Sequence, residues 1–199
     1  MKTTRREFVK RSMFAAAASL SVASAHQTFA ESGRPPVNIN DIDDHTISVF
    51  SKNLQWLDYD NMAKVAAEIG FDGIDLTVRP NGHVLPERVA EDLPKAVRAV
   101  RSAGLEVYTI TTAISEASHE HTEAIVASAS ELGIGHYRMN WLAYDKSLSV
   151  SQNLGNFKTK LDELAKLNEK YNIHGAYQNH AGLSLGSPLW DLWMLIKDI

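Results

Sequence analysis

The chain has 199 residues with no Cys, 11 Gly and 6 Pro; 44% of it is hydrophobic and 22% charged. These proportions exclude collagen-like, low-complexity and disulfide-stapled classes and leave one globular domain as the default. The net charge of −4 offers no basic field for nucleic acid, and it averages two unlike parts: residues 1–25 carry five Lys/Arg against one acid, the remainder 15 against 23.

The basic part reads as an export address. Thr4-Arg5-Arg6-Glu7-Phe8-Val9-Lys10 is followed by an Ala-rich apolar run from Met13 to Ala23 and by the small residues Ala23-Ser24-Ala25. A charged start, a short apolar run and an A-x-A site together describe a signal peptide, here over residues 1–25. The paired arginines resemble a twin-arginine signal and imply a periplasmic or secreted protein that crosses the membrane already folded. The run is too short for a membrane span, so the mature form is expected off the membrane. Residues 26–45 read as an irregular arm, with Gly33-Arg34-Pro35-Pro36 at its centre.

Beyond the arm the hydrophobic period alternates. Ile47–Phe50 reads as a strand and Asp58–Ile69 as a helix, with Met62, Val65, Ala66 and Ile69 on one face and Gly70 as its stop. Strands are expected over Gly73–Val78, Leu105–Thr111, His136–Trp141 and His174–Asn179. Helices are expected over Pro86–Ala103, Glu116–Leu132, Val150–Tyr171 and Pro188–Ile196. Strand–helix units in succession predict a parallel α/β sheet, either doubly wound or a (β/α)8 barrel. The first turn, Ser51-Lys52-Asn53-Leu54-Gln55, lacks the glycines a nucleotide-binding sheet would place there.

Candidate functional residues gather at the strand ends. On the second strand Ile74, Leu76 and Val78 share one parity, and Asp75, Thr77 and Arg79 the other. If the apolar set meets the helices, the polar set lines a barrel interior. Asp75, deep in its strand, reads as a member of a structural network. Gln178, Asn179 and His180, three polar residues in a row, read as functional, and His83 lies in the loop after the second strand. Trp141 offers a flat face for a sugar ring. His119-Glu120-His121 lacks the i, i+4 histidine pair of a helical zinc motif and reads as the polar start of a helix.

Ile69-Gly70-Phe71-Asp72-Gly73-Ile74-Asp75-Leu76, Leu132-Gly133-Ile134, and Tyr177-Gln178-Asn179-His180-Ala181-Gly182 resemble, in order and spacing, the xylose isomerase-like TIM barrels. The resemblance spans residues 46–199. It implies a sugar isomerase or epimerase acting on a small sugar or polyol, with a divalent metal (Mn, Mg, Co or Zn) assisting proton transfer next to a carbonyl. Gln178 stands at the family's acidic metal-ligand position on strand five; the Asp, His and Glu ligands of strands six to eight would lie beyond Ile199. In that reading Arg138, His180 and His83 orient substrate hydroxyls, and Trp141 and Asn179, placed at the strand ends, are further substrate contacts. A non-catalytic carbohydrate-binding barrel is the alternative, motivated by the neutral Gln178. An endonuclease IV-like metal hydrolase is opposed by the net charge of −8 after residue 25. A complete barrel takes about 250 residues, so the length reads as a (β/α)8 barrel truncated after about five strand–helix units.

Overall fold

The computed structural model describes residues 45–199. The expected export segment and all but the last residue of the expected arm lie outside the described residues. The elements follow in chain order: β1 (Ser48–Phe50), α1 (Tyr59–Ile69), β2 (Gly73–Val78), α2 (Val89–Ser102), β3 (Glu106–Thr112), α3 (Thr122–Glu131), β4 (His136–Arg138), α4 (Val150–Tyr171), β5 (His174–Ala176) and α5 (Leu189–Ile196).

All five strands are parallel and lie in the order β1-β2-β3-β4-β5. A doubly wound sheet reverses its strand order at a switch point, whereas a barrel winds in one direction throughout. The unbroken order therefore selects the barrel, and consecutive helices pack against each other along one side of the sheet. Five of a barrel's eight strands are present among the described residues, so the sheet is an open arc with β1 and β5 at its edges.

Local sequence explains the boundaries. Asp58 caps α1 by accepting from the Asn61 N–H at 2.8 Å, and Gly70 ends it at a φ of +94° that a Cβ would oppose. Ser149 and Gln152 close a capping box at the start of α4. Three elements are shorter than their sequence suggests by more than a third. Helix α3 begins at Thr122 instead of Glu116, because the Thr122 hydroxyl donates to the Glu116 carbonyl at 2.9 Å and folds the intervening residues into a loop. His119 and His121 therefore lie on that loop and not on a helix. Strand β4 stops at Arg138 because the Asn140 N–H turns away to the Ile114 carbonyl at 2.8 Å. Strand β5 stops at Ala176, which leaves Gln178, Asn179 and His180 on the following loop.

The parity expected of β2 holds across the sheet. Ile74, Leu76, Val78, Ile110 and Tyr137 are buried on the helix side, against Met62 and Ala66 of α1, Leu93, Val97 and Val100 of α2 and their neighbours in one continuous core. Burial pushes the Tyr137 phenol up to about 12, and its hydroxyl donates to Asn168 on α4 at 3.1 Å. The register pairs Phe50 with Asp75, Asp75 with Thr109, Thr111 with Arg138 and Arg138 with Ala176, so these side chains share the opposite, concave face.

Gly73, within the second-strand motif, has a steric cause. A Cβ there would lie 2.5 Å from the Glu106 carbonyl oxygen and 2.6 Å from the Tyr108 ring. The carbonyl belongs to the neighbouring strand and cannot move without breaking the pairing. Gly73→Ala is therefore expected to cost about 1–3 kcal/mol as an overpacked position. A lowered urea midpoint with unchanged slope would show it, and an unshifted midpoint would refute it.

Candidate functional site

The C-terminal ends of β4 and β5 build the site through the loops that follow them. The two loops zip together: the Tyr144 N–H donates to the Leu183 carbonyl at 2.9 Å, the Leu185 N–H to the Leu142 carbonyl at 2.9 Å, and Ala143 bridges to Ser184. The Tyr177 hydroxyl joins them from within, accepting from the Leu142 N–H at 3.1 Å and donating to the Leu185 carbonyl at 3.1 Å. Its phenol is pushed up by burial. Asp191, fully buried at the start of α5, accepts from the Tyr144 hydroxyl at 2.7 Å and the Gly186 N–H at 2.8 Å. Burial, and then the hydrogen bond to Asp191, raises the Tyr144 phenol above its ordinary value.

This framework sets Trp141 beside His180, with ring centroids 4.6 Å apart. The His180 Nδ1 lies 2.8 Å from the Ala181 carbonyl. A carbonyl oxygen only accepts, so Nδ1 carries the proton and Nε2 keeps its lone pair in the neutral ring. Arg138 donates from Nη1 to the Gln178 Oε1, and its guanidinium lies 5.6 Å from the Trp141 ring centroid and 5.9 Å from that of Phe50. Cation–π contact on two rings fixes a side chain that would otherwise be mobile. Arg79 lies 5.7 Å from the same Phe50 centroid.

Asp75 lies on the same face. Both of its oxygens accept from the Thr111 hydroxyl, at 2.8 and 3.0 Å. Its carboxyl is raised above the ordinary 3.8 by burial, against the opposing pull of Thr111, Arg138 and Arg79. A raised value means the folded state holds the proton more tightly than the unfolded chain. Ionised Asp75 therefore costs stability above its folded-state value, and that cost is relieved as pH falls through it. The stability of the wild type relative to Asp75→Asn is expected to decline as pH rises from about 4 toward 7. Parallel stability curves would overturn this.

The residues expected from sequence divide into two groups. Arg138, Trp141, Gln178 and His180 come together on the concave face and its rim. Asn179 is exposed beside them, its Cβ 3.0 Å from the place a Gly186 Cβ would occupy. His83 belongs to a different network: its N–H donates to the Thr77 hydroxyl at 2.9 Å, its carbonyl accepts from the Tyr59 hydroxyl at 3.0 Å, and Thr77 in turn contacts Ser51. Burial pushes the His83 ring below its usual value, opposed by the Leu54 and Leu57 carbonyls. Sequence places Arg79 on the interior parity without giving it a role, and gives Phe50 none. The shared parity of Arg79 with Asp75 was the available signal, whereas Phe50 becomes visible only once β1 is in register with β2.

Gln178 was expected at a metal-ligand position. Its amide oxygen, the atom that could coordinate a hard cation, already accepts from a guanidinium. Among the described residues no group of three or more His, Asp or Glu is placed to hold a metal ion. These residues do not fit a divalent cation. No helix among the described residues is long and apolar enough to cross a membrane.

The sequence matches the profile of the xylose isomerase-like TIM barrels over residues 63–199. The chain belongs to the xylose isomerase-like TIM barrel family. Solved structures of similar fold include the probable 3-DHS dehydratase AsbF, involved in petrobactin synthesis, from Bacillus anthracis, with a TM-score of 0.60 and 14% identity over 77% of this chain and 59% of that one. A D-tagatose 3-epimerase-like protein superposes with a TM-score of 0.59 and 18% identity, over 78% of this chain and 61% of that one. The 3-keto-D-glucoside 4-epimerase YcjR from E. coli gives 0.53 and 14%, over 71% and 59%. The chain thus spans about three-fifths of the length of these structures. No curated protein sequence matches it.

Proposed function

We propose that this family member acts as a sugar isomerase or epimerase on a small sugar or polyol, moving a proton next to a carbonyl. One observation carries the reading: Arg138, Gln178, Trp141 and His180 converge at the C-terminal ends of β4 and β5, where TIM barrels hold their active sites. Family membership supports it, as do the sugar epimerases among structures of similar fold. In this reading Trp141 stacks on the apolar face of the sugar. The Arg138 guanidinium and the Gln178 amide N–H donate to substrate oxygens and stabilise charge developing on the carbonyl. The free Nε2 of His180 takes the proton from the adjacent carbon and returns it.

The divalent metal expected from the resemblance would need ligands other than the described residues. The test is turnover of a ketose panel by the full chain with Mn²⁺, Mg²⁺, Co²⁺ or Zn²⁺ and with EDTA. Interconversion of a ketose supports the proposal, and no turnover in any arm overturns it. The second reading, a non-catalytic carbohydrate binder, rests on Gln178 replacing a carboxylate. It is favoured if calorimetry shows sugar binding, unaffected by chelator, without turnover.

Export by a twin-arginine route belongs to the same proposal, supported by Arg5-Arg6-Glu7-Phe8 and Ala23-Ser24-Ala25. Arg5→Lys with Arg6→Lys is expected to leave unprocessed precursor in the cytoplasm on fractionation. Normal processing of the double variant would refute it.

A further inference from the structure

We infer that the substrate of this site carries an anionic group, a carboxylate or a phosphate, and that Arg79 and Arg138 bind it. The inference rests on the proposed sugar site and goes further by naming the charge of its ligand. The two guanidiniums lie near a single aromatic ring, at 5.7 and 5.9 Å from the Phe50 centroid. Asp75 feels the charge of both arginines, but its two oxygens accept from the Thr111 hydroxyl and pair with neither guanidinium. Of the other described arginines, Arg88 pairs with Asp92 at 2.7 Å and Arg101 with Glu106 at 3.0 Å, whereas Arg98, also without an ion pair, is exposed to water on α2. Among the described residues Arg79 and Arg138 have no ion-pair partner; Arg138 gives one N–H to a neutral amide, and the Arg79 guanidinium has no acceptor.

The surroundings make this arrangement informative. Residues 45–199 carry 14 Lys/Arg against 19 Asp/Glu, a net of −5. On an acidic body, two half-buried guanidiniums held on one ring without a matching carboxylate form a local positive focus. Asp75 offsets one of those charges at most, and its raised carboxyl weakens even that. A guanidinium presents planar paired donors that match the oxygens of a carboxylate or phosphate. A neutral hydroxyl would satisfy the donors and leave both charges unmatched. The positive focus also lies on the concave face beside Trp141, so the anionic group would extend from the same molecule that stacks there.

The experiment is calorimetric titration of the full chain, at low salt with chelator present, using D-glucose, D-glucuronate and D-glucose 6-phosphate. At least one anionic sugar is expected to bind about 10- to 100-fold more tightly than D-glucose, as charge-assisted hydrogen bonds allow. Whichever anion is preferred identifies a carboxylate or a phosphate as the group. The preference should shrink in 0.5 M NaCl, within roughly the range expected of screened charges, and should fall to about 3-fold or less in Arg79→Gln. Arg79→Lys, which keeps the charge, should retain part of it and serves as the folded control if the Gln variant loses its circular dichroism. D-glucose binding as tightly as both anions overturns the inference and leaves the sugar site standing. Absence of binding by all three overturns both. A preference untouched by Arg79→Gln overturns the assignment to this arginine pair.

Discussion

Replacing Asp191 with Ala is expected to destabilise the fold by about 3 kcal/mol, because it leaves a buried hydroxyl and buried backbone N–H groups without an acceptor. Asp191 is fully buried and accepts from Tyr144, Gly186 and its own neighbour Leu192. Tyr144 lies on the loop after β4 and Gly186 on the loop after β5, so one carboxylate ties together both loops that carry the site. The loss would be greater than that of any one hydrogen bond, since three donors lose their acceptor at once. Asp191→Asn keeps one acceptor oxygen and is expected to cost roughly half as much. The measurement is the urea midpoint of each variant. Equal stability of wild type and Asp191→Ala would show that the loops are held by their backbone ladder alone. The same variant should broaden the environment of Trp141, seen as a red-shifted fluorescence, because the Trp141–His180 contact is built on those loops.

Asp191 also shows where sequence stopped being informative. It follows Leu189-Trp190 in a short apolar helix and carries no motif. Its importance comes from tertiary position, which brings residues 47 and 5 positions away in sequence onto one carboxylate. The elements themselves were legible because the pattern repeats: apolar runs of period two alternate with amphipathic stretches, and Gly or Asn follows each of the first four helices. The concave-face assignment of Asp75 was legible for the same reason, as strand parity is unambiguous once one face is apolar. The ends of β4 and β5 were not, because Trp141 and Gln178 extend apolar–polar patterns beyond the point where the backbone leaves the ladder. The loop at His119 was missed for a similar reason. Its residues tolerate a helix, and a single hydroxyl-to-carbonyl bond from Thr122 decides otherwise. Phe50 illustrates the last class. An aromatic residue ending a short strand looks like core until register places it beside two guanidiniums.

Arg138→Met is expected to weaken sugar binding about 100-fold, equivalent to about 2.7 kcal/mol. The guanidinium makes three distinguishable contributions: it fixes Gln178, it packs on Phe50 and Trp141, and it supplies the positive charge facing the ligand. Methionine keeps much of the packing volume and removes the other two, so the loss reports charge and orientation more than shape. Arg138→Lys separates these further. It restores a point charge without the planar fork, and should recover affinity only in part, to about 10-fold below wild type. Neither change should alter stability by more than about 1 kcal/mol, since Arg138 is half-buried and touches the core only through the concave face. Titration of each variant with the best-bound sugar, alongside its urea midpoint, gives both numbers. Unchanged affinity in Arg138→Met would remove Arg138 from the site. Equal affinity of Arg138→Lys and wild type would mean that charge alone suffices, and that the contact with Gln178 serves only to keep the loop after β5 in place.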